Sequence, residues 1–503
     1  MKNSNVPVLL IAIVGAVAIS LSSLYVALKL GALPWPTVFA ALSAYGLLRL
    51  LKRPDINEAN CAQAAISAGG LVAGGLAFTL PALWMLQADA SISRFEVTCL
   101  ALAGGLAGWF FASILRHEVL DKQQMPFPMG QAAAEVLESS AGGAHSRLLF
   151  SSLFVAGAVT LMRDWLKLFP AALIIPIRSF PVGIWISPMA VGVGYVLGAG
   201  YCLYWAGGMV AGVVWMIASG NPEALFIKNS AGIGLITGGG IGTVLINLQF
   251  SRAKMQISAR KRDWLILAAA YVLLGFSGLG WLATLLLIVV TFIACRIAMQ
   301  LTGQTAINPM DLLGLMTVLI MSAIFNLAVK PMIMTAVVAA VACAVAGDTL
   351  QDLKSGLLLG TSQRKQLRFA LLGTIVGALV ASAAILILHE EYGVFGGVSE
   401  FAAPQAAAIA AMLGGEFHSA VFFGALVLGV SGVLFKQPMM LIGLGVYLPT
   451  PLSAAIVLGG VVSYIAKCYG EHAERQCSHI AAGCLGGEGI AGMLYALFRA
   501  VSG

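Results

Sequence analysis

Two aspartates four residues apart, Asp348 and Asp352, stand in the stretch GDTLQDLKSGLLLGTSQRKQ (347–366), with Lys354, Arg364 and Lys365 close behind. Carboxylates at that spacing share one face of a helix and can take up or release a proton or a cation. The same acids would serve in a solvated loop with local salt bridges, and the sequence leaves both readings open. Glu135 follows two prolines and a glycine in FPMGQAAAEVL, and Glu488 lies in GGEGIAG. An ionisable group inside a long apolar run is expensive unless it pairs or works. Asp348, Asp352, Glu135 and Glu488 are therefore the candidates for moving a proton.

Neutral polar residues supply a second set, suited to hydrogen-bonding a cargo. Gln63 and Ser67 in CAQAAISAGG are four apart and share a helix face. Gln131 and Gln405 each open a QAAA stretch, Asn308 precedes a proline in AINPMD, and Tyr447 in GVYLPTP is followed by Pro449 and Pro451. Helix packing or capping competes as an explanation for each. Catalytic motifs of the H-E-x-x-H and G-x-S-x-G types are absent, as is a G-x-x-x-x-G-K-[ST] phosphate loop. Cys468, His472, Cys477 and His479 crowd one short segment without C-x-x-C spacing. No metal site, cofactor or catalytic residue is expected.

The elements that must position these groups follow from composition. Of 503 residues 60% are hydrophobic, 10% are charged and 58 are glycine, too little polar surface for a water-soluble globule of this size. The expected fold is an all-α polytopic membrane protein. Apolar runs able to cross about 30 Å of hydrocarbon are expected at 7–30, 34–51, 58–86, 96–116, 148–169, 182–200, 201–219, 231–249, 263–277, 281–301, 307–328, 331–349, 367–388, 418–435, 439–466 and 478–500. That makes about 16 (14–16) transmembrane helices. Segments near 126–140 and 402–414 are too short to span and read as broken or re-entrant helices. Basic residues cluster at 49–53, 116–122, 252–262 and 354–368. By the positive-inside rule this places both termini in the cytoplasm and makes 347–366 a cytoplasmic helix-end turn. The net charge of +7 is topological and does not point to nucleic acid.

ALAGGLAGWFFAS (101–113) and ALLGTIVGALVAS (370–382) align without a gap, 269 residues apart. QAAA recurs at 131 and 405, VGIWIS (from 182) resembles LGVYLP (from 444), and VAGVVW (from 210) resembles IAGMLY (from 490). The matches imply two pseudo-repeated halves, 1–250 and 281–503, joined by a cytoplasmic linker and connecting span at 251–280. Loop charges swap sides between the halves. An inverted repeat of this kind is the architecture of many secondary transporters, with sites near the midplane where broken helices meet.

The segments ANCAQAAISAGGLVAGGLAFTLPAL, MPFPMGQAAAEVL, GQTAINPMDLLGLMTVLI, GDTLQDLKSGLLLGTSQRKQ and IGLGVYLPTPLSAAIVLGGVVSYI resemble the oligopeptide transporter (OPT) family, chiefly its prokaryotic branch. The plant yellow stripe-like metal-chelate carriers are relatives. The resemblance runs from about residue 55 to the end. It implies a proton-coupled importer of small peptides or peptide-like metal chelates, with about sixteen transmembrane helices. The chain is shorter than the family pattern, mainly in its loops, and no motif separates peptides from chelates. The expectation is alternating-access import of small oligopeptides across the inner (plasma) membrane, with metal chelates as the alternative cargo. A channel or an intramembrane enzyme finds no supporting motif. The expected partners are the cargo, protons and the lipid bilayer, and a homodimer is compatible with the sequence.

Overall fold

The computed structural model describes residues 6–30, 33, 36–140, 146–177, 180–219, 223–250, 261–393, 395, 401, 403–414 and 418–502. Its helices, in chain order, are α1 (Val6–Leu30), α2 (Pro36–Leu50), α3 (Ile56–Thr79), α4 (Pro81–Leu86), α5 (Arg94–Arg116), α6 (Pro128–Ser140), α7 (Ser146–Asp164), α8 (Pro188–Leu197), α9 (Ala199–Ser219) and α10 (Ala224–Phe250). They continue as α11 (Lys261–Gly275), α12 (Trp281–Thr305), α13 (Met310–Phe325), α14 (Val329–Leu359), α15 (Gln363–Tyr392), α16 (Pro404–Leu413), α17 (Ser419–Leu434), α18 (Met439–Tyr447), α19 (Thr450–Cys468) and α20 (Glu471–Ser502). Among the described residues eight helices are long and apolar enough to cross a membrane, and five shorter ones are apolar. The chain is an all-α polytopic membrane protein. One antiparallel hairpin, β1 (Ala172–Ile177) and β2 (Phe180–Trp185), interrupts it.

Local chemistry explains the boundaries. Asp55 caps α3 by accepting from the backbone N–H of Asn57 and Glu58. Ser93 and Glu96 form a reciprocal capping box at the start of α5. A wide π-turn, His117–Lys122, continues α5 before the chain reverses into α6. Each expected run contains a helix, but two are built differently. The run 182–200 begins as strand β2 and holds only the short α8, while 439–466 breaks at Leu448 and Pro449 into α18 and α19. The expected re-entrant pieces correspond to the short helices α6 and α16.

The described chain forms two compact units. The first comprises Met1–Gly143, Gln256–Gly414 and Met493–Gly503, the second Ala144–Met255 and Gly415–Gly492. These are a different division from the sequence halves, because each unit takes an early and a late segment. In the first unit α14 is central: every residue from Ile333 to Leu353 is buried, against α3, α5, α6, α12, α13 and α15.

Glycines show how the early and late segments are related inside each unit. A methyl on Gly104 of α5 would lie 2.7 Å from the Val338 carbonyl oxygen, and one on Gly108 would strike the Ala342 carbonyl, so α5 packs backbone to backbone on α14. The matched Gly373 and Gly377 do the same for α15, meeting Ala65 and Gly69 of α3. Reciprocal contacts of this kind are what two-fold-related copies produce. In the second unit Gly194 of α8 abuts Ile456 of α19, and Gly445 of α18 abuts Trp205 of α9. Likewise Gly208 abuts Ile442, and Gly459 abuts Val191. Val191 and Ile442, Gly194 and Gly445, Trp205 and Ile456, Gly208 and Gly459 are each 251 residues apart.

This register corrects two of the sequence matches. VGIWIS falls in strand β2 and LGVYLP at the end of helix α18. VAGVVW lies in α9, whose counterpart is α19, whereas IAGMLY lies in α20. The cause is the β-hairpin, which separates α7 from α8, while only residues 435–438 separate α17 from α18.

Candidate functional site

The charged stretch around Asp348 is not a helix-end turn. α14 continues through it to Leu359 and stops where Gly360 takes up a left-handed conformation, φ 74°. No residue after Pro331 breaks the ladder sooner. Asp348, Gln351, Asp352 and Ser355 then fall at i, i+3, i+4 and i+7, on one face of a buried helix. Asp348 is 8% exposed and Asp352 1%. The segment is an internal polar face of the first unit.

That face meets polar side chains from three directions. From α3, Gln63 donates to Asp352 Oδ1 at 2.6 Å, and Asn60 Oδ1 lies 3.1 Å from Ser355 Oγ. From α15, Gln366 Nε2 donates to Asn60 Oδ1 at 2.8 Å and to the Asp352 carbonyl at 2.7 Å. Asn60 donates to Thr361 Oγ1, which donates in turn to Asn57. From the segment before α13, Asn308 Nδ2 donates to Asp348 Oδ2 at 3.0 Å and to the carbonyl of Cys343 at 2.9 Å. The backbone N–H of Gly130, in the first turn of α6, donates to Gln351 Oε1 at 3.1 Å. Gly347 admits Asn308 and Thr302, since a methyl there would lie 2.6 Å and 2.7 Å from their polar atoms; Gly356 admits Gln366 in the same way.

The network is incompletely satisfied. Asp352 Oδ2, Asn308 Oδ1 and Thr302 Oγ1 are buried without a well-formed hydrogen bond, and Gln351 Nε2 reaches Asp348 only at the margin of hydrogen-bond geometry. Each such atom costs about 1–3 kcal/mol. Ser67 approaches Asp352 without completing a hydrogen bond. Among the described residues neither carboxylate takes part in an ion pair. The nearest basic residue along α14, Lys354, donates instead to the Met125 carbonyl at 3.0 Å. It also lines a cleft with Leu120, Asp121, Gln124 and Leu357. Two carboxylates are thus withdrawn from water with side-chain amide partners but, among the described residues, no counter-cation.

A family model for the OPT oligopeptide transporter protein matches residues 4–217 and 264–499 of the chain. The chain belongs to the OPT oligopeptide transporter family. A curated Haemophilus influenzae protein, named provisionally as an oligopeptide transporter, is 24% identical, the match covering 95% of this chain and 93% of that one. In the first unit of this OPT chain the residues singled out from the sequence fall into three places. Gln63, Ser67, Asn308, Asp348 and Asp352 come together on the polar face of α14. Gln131 and Glu135, both half-buried, lie on α6 beyond the turn that docks on Gln351. Gln405 lies on α16, which packs against α3 and α4.

Tyr447 and Glu488 belong to the second unit. Glu488 accepts from Arg163 at 3.0 Å through one oxygen, and from Ser187 Oγ at 2.8 Å and the Met189 N–H at 2.9 Å through the other. Arg163 also forks onto Asp164, with both contacts at 2.7 Å. This acid is fully engaged and pins the start of α8. Tyr447 closes α18, where its backbone packs against Gly232 of α10.

Sequence reading missed Asn60, Gln351, Ser355 and Gln366. Once α14 is taken as a helix through the charged stretch, the spacing from 348 to 355 is visible; Gln366 has no such signal. Lys228 was also missed: the expected span begins at 231, seven residues after the start of α10, so the lysine falls outside it.

Proposed function

We propose that this OPT chain is a secondary, proton-coupled importer of small oligopeptides, and that Asp348 and Asp352 on α14 form its coupling site. The supporting observation is the carboxylate pair buried without a counter-ion. Charge compensation there falls to a transported species. A proton arriving with the cargo fits, because Asp352 Oδ2 makes no well-formed hydrogen bond. Gln63, Ser67 and Asn308 orient the acids, while Gln131 and Gln405 of the first unit are assigned to cargo amides; Tyr447, in the second unit, is assigned to cargo separately. Glu135, one turn into α6, is assigned to the cargo's amino group or to a second proton.

The reciprocal packing of early and late segments supports alternating access by two inverted halves, 1–250 and 281–503, joined through 251–280. Both termini are assigned to the cytoplasmic side of the inner membrane. Uptake of labelled di- to tetrapeptides into proteoliposomes under an imposed pH gradient tests the reading, with iron and nickel chelates as parallel cargo. Asp352→Asn is expected to lower proton-driven peptide uptake at least about tenfold, the scale of a typical coupling free energy. Unchanged gradient-driven uptake in that variant would remove the site from the mechanism, and uptake confined to the chelates would remove the peptide assignment.

A further inference from the structure

Lys228 on α10 is a buried cation, 7% exposed, that the proposed coupling site does not use. Its ammonium donates to the carbonyl oxygen of Val446 at 2.8 Å and of Tyr447 at 3.1 Å. Those are the last two carbonyls of α18, and the sequence explains why they need a donor. The N–H that would continue the ladder to Tyr447 belongs to residue 451, a proline without one. The turn at Leu448, φ −66° and ψ 153°, swings Thr450 away from Val446.

The surroundings are shaped for this side chain and, among the described residues, hold nothing to neutralise it. Gly212 of α9 leaves the groove in which the lysine stem lies, since a methyl there would be 3.4 Å from Lys228 Cδ and 3.5 Å from the Val446 oxygen. α9, α17 and α18, the helices packed against α10, contain no charged residue, and Lys228 is the one charge on α10 itself. Lys228 forms no ion pair among the described residues. Its charge therefore rests on carbonyl dipoles at a helix C-terminus, where a cation is favoured.

The companion break between α8 and α9 shows that such a joint does not require a lysine. There Gly198 turns the chain at φ 83°, its N–H returns to Gly194 O, and the carbonyl of Gly194 is met by the Cys202 thiol. No cation is involved among the described residues.

We infer that the Val446 and Tyr447 carbonyls form a seat for a monovalent cation of the ammonium type, which Lys228 fills from within the chain as a tethered occupant. α10 is thereby locked to the broken end of α18, and no free alkali ion is needed at that joint.

Thermal unfolding in detergent tests this without reference to transport, so it can fail or succeed independently of the proton-coupling reading. Wild type, Lys228→Ala and Lys228→Met are compared in choline chloride and after exchange into methylammonium chloride. Wild type is expected to be indifferent to the exchange. Lys228→Ala is expected to unfold several degrees lower in choline, or to aggregate, and to recover most of the loss in methylammonium, which can enter the vacated groove. Lys228→Met, whose side chain fills the groove, is expected to be destabilised without recovery. A Lys228→Ala protein as stable as wild type in choline overturns the inference. So does one that methylammonium fails to restore, or a recovery equally large in Lys228→Met.

Discussion

The chain buries acids in two contrasting ways. In the second unit Glu488 sits against Arg163, with Ser187 and the Met189 amide completing its shell. In the first, Asp348 and Asp352 have amides and a hydroxyl around them but no cation among the described residues, and one oxygen of Asp352 makes no well-formed hydrogen bond. Locally neutralised charge is complete without any ligand, so it can serve packing. Charge left open costs stability in every state the protein visits unless something transported closes it. The contrast separates an acid that pins helices from the two acids proposed to couple.

The largest expected effect belongs to the neutralised region. Arg163→Met leaves Glu488 buried with two hydrogen bonds and no counter-charge, and should lower stability by about 3–5 kcal/mol. Arg163→Met combined with Glu488→Gln should regain part of that loss, because the stranded charge is gone. Denaturant or thermal unfolding of the two variants checks both numbers; a single variant as stable as wild type would erase the distinction between the regions.

Next in size is Gln63→Leu, which removes the donor to Asp352 Oδ1 and leaves the carboxylate only the marginal approach of Ser67 among the described residues. A lost hydrogen bond to a charged group predicts a cost of about 1.5–3 kcal/mol. Asp352→Asn should move stability the other way or not at all, within about 1 kcal/mol, since an amide retains an oxygen for Gln63 and carries no charge. Opposite signs for these two changes at one contact would mark the acid as functional and not structural. A loss of several kcal/mol on Asp352→Asn would instead place it with Glu488.

The sequence carried much of this, and the failures have physical causes. Apolar run length located nearly every helix, because about 30 Å of hydrocarbon demands it. Charge misleads at α14, where Asp348, Asp352 and Lys354 read as a helix-end turn although helical spacing runs unbroken from Asp348 to Ser355. The hairpin was missed because a continuously apolar strand cannot be told from a buried helix by periodicity. The paired Pro176 and Pro181 were the available warning. That insertion also hid the register of the repeat in the second unit, where glycine contacts recover it. In the first unit the gap-free match was enough: Gly104 and Gly108, aligned with Gly373 and Gly377, bring α5 and α15 onto α14 and α3. Lys228 left no signal, since a single lysine near the start of a span looks like an interfacial anchor.

Ser67 provides the smallest and most discriminating change. Its hydroxyl is buried on α3 beside Asp352 and reaches it only at the margin of hydrogen-bond geometry. If it served packing, removing an unsatisfied buried hydroxyl would leave stability within about 0.5 kcal/mol of wild type or improve it, and uptake would be unchanged. If Ser67 helps hold the proton on Asp352, Ser67→Ala should show the same near-neutral stability while proton-driven peptide uptake falls a fewfold. A fewfold change corresponds to less than about 1.4 kcal/mol, below the value of one good charge-assisted hydrogen bond. Thermal unfolding and initial uptake rates measured on one preparation separate the outcomes: stability lost together with uptake would make Ser67 part of the scaffold, and uptake lost alone would tie it to the open side of Asp352.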